Sequence, residues 1–340
     1  MVRKLTALTV SAFMLTTMAA CTPAAPAAPA APASAPAAPA APTAPADPQA
    51  EINWPPHVEL IVPAGPGGDT DFNARLMAEE LTRYLPPNFV VTNVTGAGGA
   101  VGLRQVAESA TDGSSAVVFH TAFVVGQHVG TIDFGFEAYE MAGIIAAHPG
   151  MVLLVRSELG INTMEELFSY SQANPGQLLL GVETGTVSFA VGTLLQQYGL
   201  DVTIVDAGPA AERVTMLLGG HVDIVGVVYG LVEDYIVSGM FVPLGVDGRE
   251  DLYTPTGLIQ SFRSQGFDVA VPFYYFMGFP AGTDPNLVAA VTEVIERTVH
   301  TNEEYQEAIT MFVQTPTFFP PDEALAIYDE VYDILSRIEF

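Results

Sequence analysis

The chain has 340 residues, of which 38 are acidic and 11 are Lys or Arg, so its formal net charge at pH 7 is −27. No lysine follows Lys4, which excludes Schiff-base catalysis and a lysine-dependent phosphate loop, and the negative charge argues against nucleic-acid binding. The one cysteine, Cys21, excludes disulfides within the chain and thiolate metal clusters.

Residues 1–21 have the pattern of a secretory signal. A basic start precedes an apolar stretch, residues 5–18, and two small residues follow it. Residues 18–21, Met-Ala-Ala-Cys, resemble a bacterial lipobox in which methionine stands where leucine is usual. This similarity predicts that Cys21 is lipidated and becomes the mature N-terminus; a cleaved signal with an incidental cysteine is the alternative.

Residues 22–50 contain nine prolines, most of them separated by pairs of alanine. Such a segment favours extended polyproline II and cannot form a core, and at about 3.1 Å per residue it reaches up to roughly 90 Å. No later apolar run reaches the about 18 residues that a membrane-spanning helix needs. We therefore predict a Pro/Ala-rich tether that holds a folded body, beginning near residue 51, at an extracytoplasmic membrane surface.

The folded region begins with a repeated unit of strand, glycine-rich loop and helix. The predicted strands of this first part are residues 58–62, 89–94 and 116–119. Loops at residues 63–69 and 95–99 follow the first two strands, and helical apolar spacing follows each loop. Thr70 or Asp71 is the predicted cap of the first helix.

The middle of the chain repeats the same unit. Its predicted strands are residues 178–180, 202–205 and 221–228, and the glycine-containing segments 181–187 and 206–209 precede helices. Alternating strands and helices predict the α/β class with parallel sheets, whose ligands bind at the carboxyl ends of the strands. Helix N-termini at these loops favour an anion; the alternative is that the glycines serve only the tight turns.

Motifs of catalysis are absent from the sequence. Ser188 has no G-x-S-x-G context, no H-E-x-x-H occurs, and the six histidines stand singly. His120 borders an apolar strand and is expected to be structural. The sequence therefore predicts a protein that is not an enzyme and that has neither a cofactor nor a bound metal.

Several motifs, in order along the chain, resemble those of one known family. Residues 61–75 are similar to the P-G-G-x-x-D-x-x-A-R signature of the substrate-binding proteins of tripartite tricarboxylate transporters, the Bug receptors. Residues 93–102, 217–224 and 280–285 resemble the family's N-x-x-G-A-G-G-x-x-G loop, its L-L-G-G-x-V-D segment and its P-A-G-T-P start of the final helices. The resemblance covers nearly all of residues 55–335.

The resemblance implies a type II periplasmic binding protein, with two α/β domains and a ligand cleft between them. Domain 1 is then residues 51–155 with 277–340, and domain 2 is residues 156–276. The implied function is to capture a small organic carboxylate by domain closure and to deliver it to the permease subunits of a tripartite transporter. A monomer in the periplasm or cell envelope is expected; a ligand sensor that partners a membrane kinase is the alternative, ahead of an α/β enzyme.

The resemblance also implies a set of binding residues in domain 1. In the family, backbone N–H groups of the first two loops hold the ligand carboxylate, and a hydroxyl after the third strand faces the cleft. Carried over, the contacts in this domain are Gly67, Gly68, Thr70, Asp71, Ala97, Gly98 and Thr121; the sequence itself adds Asp69 and Phe72 as candidates. Asp71 is expected to shape the loop, and Phe72 either lines the cleft or packs in the core.

The corresponding loops of domain 2 depart from the family pattern, because they lack its histidine and its lysine. The candidate contacts that remain are Glu183, Thr184, Thr186, Ser188 and Asp206. The acids at 183 and 206, together with Asp69, are expected to disfavour a second negative charge on the ligand, as in citrate, and to favour a cationic or neutral polar far end. The alternative is that these acids point to solvent or cap helices.

Overall fold

The computed structural model describes residues 52–340. The predicted signal peptide, the lipidation of Cys21 and the Pro/Ala-rich tether lie outside these described residues and stay predictions. Within residues 52–340, no helix is both long enough and apolar enough to cross a membrane.

Strands and helices alternate through most of the described part of the chain. The strands are β1 (His57–Val62), β2 (Asn88–Asn93), β3 (Ser115–His120), β4 (Tyr139–His148), β5 (Val152–Arg156), β6 (Leu179–Val182), β7 (Thr203–Asp206), β8 (Ile224–Val227), β9 (Phe241–Val246), β10 (Leu252–Thr254), β11 (Gly257–Ile259), β12 (Phe273–Pro280) and β13 (Thr315–Phe319). The helices are α1 (Asp69–Tyr84), α2 (Ala100–Ala107), α3 (Ala122–His128), α4 (Met164–Ala173), α5 (Val187–Gln197), α6 (Ala210–Leu218), α7 (Glu233–Val237), α8 (Pro285–Thr301), α9 (Glu303–Thr310) and α10 (Pro321–Leu335).

The first half of the fold is a six-stranded sheet in the order β13-β4-β12-β3-β1-β2. Strand β1 pairs in parallel with β2 and β3, as the repeated strand, loop and helix predict. Strand β12 is antiparallel to both β3 and β4, and β13 is antiparallel to β4. Helices α1 and α8 pack beside this sheet, so its central strands are covered.

The second half is a five-stranded sheet in the order β7-β6-β8-β5-β9, with β10 and β11 as a separate antiparallel hairpin. Strand β6 is parallel to β7 and β8, whereas β5 is antiparallel to β8 and β9. The predicted α/β class is therefore confirmed, but the prediction of purely parallel sheets is wrong for β5, β12 and β13. Strands β5 and β12 are the first strands after the two crossings of the chain between the sheets. Each therefore enters its sheet from the side of the other sheet and runs antiparallel to its neighbours.

The chain crosses between the two sheets twice. Strand β4 belongs to the first sheet and β5 to the second, so the first crossing is residues 149–151. Ser261 still bridges Val246 of β9, and β12 is back in the first sheet, so the second crossing lies in residues 262–272. The division into two domains stays a prediction; by hydrogen bonding, β5 belongs with the second sheet and β12 with the first.

Aromatic packing fixes the position of β12. The ring of Phe276 is fully buried, and its centroid lies 5.3 Å from that of Phe136 and 5.5 Å from that of Tyr328 on α10. Aromatic pairs at these distances contribute about 0.5–1.5 kcal/mol each beyond the burial of their area. Because β12 is held in this way, its first residue, Phe273, has a fixed place at the junction of the two sheets.

Candidate functional site

A small cavity lies where the carboxyl ends of strands from both sheets meet the starts of three helices. This inner cavity has a volume of ≈ 60 Å³ and is lined by residues 64–66, 68–70, 120, 151, 183, 186–188, 209–211, 213, 228 and 273. A water molecule needs about 10–15 Å³ on this measure, so the space suits a few waters or one small polar group. Its walls come from both halves of the fold.

Three helix N-termini point at the inner cavity. Helix α1 begins after Gly68, α5 begins after Thr186 and α6 begins after Pro209, and the first residues of all three line the cavity. Each N-terminus carries a partial positive charge of about half a unit and free backbone N–H groups. Their convergence favours an anion at this place.

Arg213 adds a full positive charge to the same cavity. It lies four residues after Pro209, and because helical side chains lean toward the N-terminus, its guanidinium reaches back to the start of α6. Its Nη1 donates a hydrogen bond to Ser188 Oγ at 2.8 Å and lies 3.9 Å from Glu183 Oε2. Within residues 52–340, its buried Nε has no hydrogen-bond partner.

Burial lowers the pKa of the Arg213 guanidinium, while Glu183 and Asp69 act in the opposite direction. An arginine nevertheless keeps its proton in a protein. Arg213 is only 4% exposed, so its charge is largely removed from water, and the residue lines the cavity. A buried cation of this kind requires an acceptor, which a carboxylate supplies well.

Glu183 stands at the edge of the inner cavity beside Arg213. Burial raises the pKa of its carboxyl, Arg213 opposes this, and Asp206 and Glu212 add to the rise. Its backbone N–H donates to Ser188 Oγ at 3.0 Å, and its carbonyl accepts from the Thr186 hydroxyl at 2.8 Å. The two hydroxyl groups therefore hold the loop between β6 and α5 in place.

Asp69 and His120 form the wall contributed by the first sheet. The Asp69 carboxylate accepts a hydrogen bond from the buried Tyr275 hydroxyl. Burial lowers the pKa of His120 to about 4, with Asp69 opposing and Arg213 assisting, so the ring is neutral at pH 7. His120 stacks on Phe273 with 4.7 Å between ring centroids. This histidine therefore serves as a packed, uncharged surface.

A larger and more open cavity, of ≈ 580 Å³, adjoins the inner one. This outer cavity is lined by residues 65, 66, 95–98, 131, 183, 184, 206, 208, 209, 211 and 212. It shares Glu183, Pro209 and the loop after β1 with the inner cavity. Its charged side chains in the described part of the chain are all acidic, namely Glu183, Asp206 and Glu212.

Loops of the two halves touch at the outer cavity. A Cβ added to Gly98 would lie 2.7 Å from Thr184 O, and one added to Gly65 would lie 3.1 Å from Pro209 Cβ. Contacts this close leave no room for a side chain at Gly98. The two sheets are therefore close together at their loop ends in this conformation.

Most of the site residues predicted from the sequence line one of the two cavities. Those at the inner cavity are Gly68, Asp69, Thr70, Glu183, Thr186 and Ser188. Those at the outer cavity are Ala97, Gly98, Glu183, Thr184 and Asp206. That these residues contact a ligand stays a prediction.

The structure places the other four predicted residues in protein contacts. Asp71 is buried and accepts hydrogen bonds from Gly67 N and the Arg75 and Asn93 side chains. Burial raises the pKa of Asp71, but the hydrogen bonds from Arg75, Gly67 and Asn93 outweigh it and lower the pKa overall. The remaining two follow the same pattern, since Phe72 packs on Phe312 and the Thr121 hydroxyl accepts from Tyr274 N.

The predicted cap of α1 is wrong. The helix begins at Asp69 with Gly68 as its N-cap and without a side-chain cap. Because the carboxylate of Asp71 is occupied by Gly67 N, Arg75 and Asn93, it shapes the loop from inside the first turn instead. This agrees with the expectation that Asp71 shapes the loop.

Several residues of the inner cavity were not predicted from the sequence, and Arg213 is the most important of them. Arg213 is the one Lys or Arg within residues 157–248, and this isolation was the available signal. Met151 and Val228 line the cavity only because the crossing and the end of β8 meet there. No local sequence pattern predicts this contact between the crossing and the end of β8.

A fold of two α/β sheets, with an anion-favouring cavity at their junction, is typical of periplasmic solute-binding proteins. Residues 73–318 match the family of tripartite tricarboxylate transporter receptors, TctC, and the chain belongs to this family. The resemblance found in the sequence is thus confirmed. The family and the fold are those of solute-binding receptors rather than enzymes.

Two relatives illustrate the degree of similarity. Protein BugT of Bordetella pertussis is 27% identical over 290 residues, covering 81% of this chain and 86% of that one. A protein of the ttuE–ttuC' intergenic region of Agrobacterium vitis is 30% identical over 181 residues. That second match spans about half of each protein, 52% in both cases.

Solved structures share the architecture. The periplasmic binding protein BugD is 23% identical with a TM-score of 0.74, covering 83% of this chain and 96% of that one. An R. palustris protein with adipate is 20% identical with a TM-score of 0.77, covering 84% and 97%. These similarities confirm the predicted fold of a periplasmic binding protein.

Proposed function

We propose that this protein is an extracytoplasmic receptor that captures a small organic carboxylate by closing its two halves and delivers it to a membrane permease of the tripartite tricarboxylate type. The observation that carries the proposal is the buried guanidinium of Arg213, which shares a cavity between the two sheets with three helix N-termini. Family membership supports the permease partner, and the R. palustris neighbour with adipate supports a carboxylate ligand.

Arg213 offers the ligand the edge of its guanidinium that Ser188 does not use. Nη1 is engaged by Ser188 Oγ, which leaves other N–H groups of the guanidinium. A carboxylate accepts hydrogen bonds from such groups, and each hydrogen bond to a charged group contributes about 1.5–3 kcal/mol. In binding, the ligand carboxylate takes the place of Glu183 as the nearest anion to Arg213.

The same carboxylate accounts for closure. N–H groups at the start of α1 belong to the first half of the fold, while those of α5 and the Arg213 side chain belong to the second. A ligand gains all of these contacts only when the halves are together, so it stabilises the closed arrangement. The closed form then presents one continuous surface to a permease.

We also propose that the receptor is anchored to a membrane. The proposal rests on the lipobox-like residues 18–21 and on the composition of the Pro/Ala-rich residues 22–50, which is typical of an extended tether. In this arrangement lipid on Cys21 supplies the anchor, and the tether supplies the reach.

A ligand panel tests the proposed function. Thermal-shift assays with citrate, adipate, glutamate and glycine betaine identify the carboxylate that stabilises the purified protein most, and calorimetry then compares it with its primary amide. We expect the amide to bind at least about 10-fold more weakly, because it has lost the charge that Arg213 recognises. Small-angle scattering should show a smaller particle with the bound carboxylate. Equal affinity for acid and amide, or no binding of any of the four compounds, contradicts the proposal.

A further inference from the structure

The inner and outer cavities differ in charge. Arg213 is the one Lys or Arg side chain lining the inner cavity in the described part of the chain, and Asp69 there is engaged by the Tyr275 hydroxyl. The outer cavity has three acids, Glu183, Asp206 and Glu212, without a basic residue among the described residues that line it. Glu183 lines both cavities and so marks their junction.

Two of these charged groups have hydrogen-bonding capacity that the protein does not use. Arg213 is only 4% exposed, and within residues 52–340 its buried Nε has no hydrogen-bond partner. The cation nearest to the Glu183 carboxylate is Arg213. The distance from Glu183 Oε2 to Arg213 Nη1 is 3.9 Å, which is longer than a hydrogen bond. Arg213 and Glu183 both line the inner cavity, and Glu183 also lines the outer one.

We propose that the ligand of this site is a small carboxylate with a cationic far end. Its carboxylate binds the guanidinium of Arg213 in the inner cavity, and its cation lies beside Glu183, Asp206 and Glu212 in the outer cavity. The inference rests on the proposed function and names the ligand class for it.

Charge balance gives the physical reason. Arg213 is the one Lys or Arg beside either cavity in the described residues, and Asp69 and Glu183 already act on its charge. A second carboxylate on the ligand therefore meets the three acids of the outer cavity without a cation of the protein beside it. Burial raises the pKa of Glu183, and Asp206 and Glu212 add to this rise because their negative charges repel that of Glu183. An ammonium group at that place relieves the repulsion and donates to Glu183.

Asp206 and Glu212 have few structural contacts within the protein. Asp206 accepts hydrogen bonds from Thr184 N and Gly208 N, which position it at the loop while it stays exposed to the outer cavity. Glu212 is exposed in the first turn of α6. The hydrogen bonds to Asp206 orient this acid and leave its charge available to a ligand.

Matched pairs of ligands test the effect of the charge at the far end of the ligand. Adipate and 5-aminopentanoate both carry a carboxylate and four methylenes, and they differ only in having a carboxylate or an ammonium at the other end. Succinate and β-alanine form the same pair with two methylenes. Calorimetry on the full chain at pH 7 compares each pair. We expect the amino member of at least one pair to bind about 10-fold or more tightly than its dicarboxylate, the value of one charged hydrogen bond.

Charge-neutral variants assign the preference to the outer cavity. Glu183→Gln, Asp206→Asn and Glu212→Gln each remove one of its acids, and Glu330→Gln removes an exposed acid of α10 as the matched control. We expect Glu183→Gln to reduce the preference for the amino ligand most, the other two to reduce it less, and the control to leave it unchanged.

The outcomes separate the two proposals. Dicarboxylates that bind as tightly as their amino partners, with affinities that Glu183→Gln leaves unchanged, overturn this inference and leave the carboxylate receptor standing. A preference for the amino ligand that persists in all three variants also overturns it, because the selectivity then arises elsewhere. Failure of all four ligands to bind, in a panel where no other carboxylate binds, overturns both proposals.

Discussion

Gly98 lies at the closest approach of the two halves of the fold. Its φ is +63°, and a Cβ at this position would lie 2.7 Å from Thr184 O and 3.2 Å from Gly185 C. Glycine is therefore required twice, once for the left-handed backbone and once for the space. A matched position is Gly160, where φ is +66° and an added Cβ has no atom within 4 Å.

This comparison gives a prediction for Gly98→Ala. Both Gly98→Ala and Gly160→Ala should lose about 1–2 kcal/mol of folding stability, because each places a Cβ in the left-handed region. Only Gly98→Ala should also weaken ligand binding, by about 10-fold or more, since its Cβ holds the two loops apart. Calorimetry with the best-binding carboxylate measures the difference. Equal affinities in the two variants would show that contact of these loops is not part of binding.

At the scale of residues, the sequence predicted the backbone of the site better than its charge. Ser188 was predicted from its place at a helix start, and Gly68 from the family pattern of the first loop. Arg213 was not predicted because the family pattern has its lysine in the loop that corresponds to residues 205–208, whereas the guanidinium reaches the cavity from one turn inside α6. Such a contact depends on the direction of a helical side chain, which no motif spacing records.

At the scale of elements, Asp247 ties the two crossings together. Its N–H donates to Met151 O at 3.1 Å, its carbonyl accepts from Val271 N at 3.2 Å, and its Oδ1 accepts from Met151 N. The side chain is fully buried, and within residues 52–340 its Oδ2 has no hydrogen-bond partner. Burial raises the pKa of Asp247 to about 8, although the hydrogen bond from Met151 opposes the rise.

The raised pKa gives a prediction for stability as a function of pH. Because the folded protein holds this proton more tightly than the unfolded chain, the contribution of Asp247 is complete below about pH 4 and is lost as the pH rises toward about 8. The free energy of unfolding of the wild type, relative to Asp247→Asn, should fall by up to about 1.4 kcal/mol per pH unit across this range.

Urea unfolding at pH 5, 6.5 and 8 measures this difference. Glu330→Gln, which removes an exposed acid, is the control and should track the wild type. A difference between the wild type and Asp247→Asn that does not change with pH would show that Asp247 is ionised throughout in the folded protein.

The elements themselves were largely predictable. Strands expected at residues 58–62, 89–94 and 116–119 correspond to β1, β2 and β3, because each is an apolar run that ends at a glycine or polar turn. The order of strands in the sheets was not predictable in the same way. Strand β12 pairs with β3 and β4 across more than 120 residues of chain, and only packing over that distance determines its direction.

At the scale of the whole molecule, the predicted anchor is independent of the binding site. Cys21→Ser should move the protein from the membrane fraction to the soluble fraction, because the lipid acceptor is lost, without a change in ligand affinity. Fractionation of cells and calorimetry of the released protein measure the two properties. Membrane association that persists in Cys21→Ser would contradict lipidation at this residue.

The proposed function depends on the charge of Arg213, which binds the ligand carboxylate between the two halves of the fold. Calorimetry with the best-binding carboxylate should compare the wild type with Arg213→Gln, and with Arg263→Gln as a control in which an exposed arginine is lost. Thermal unfolding should show that all three proteins are folded. We expect Arg213→Gln to lose at least about 100-fold in affinity, the value of two charged hydrogen bonds, and Arg263→Gln to match the wild type. A folded Arg213→Gln that binds the carboxylate within about 2-fold of the wild type would contradict the account.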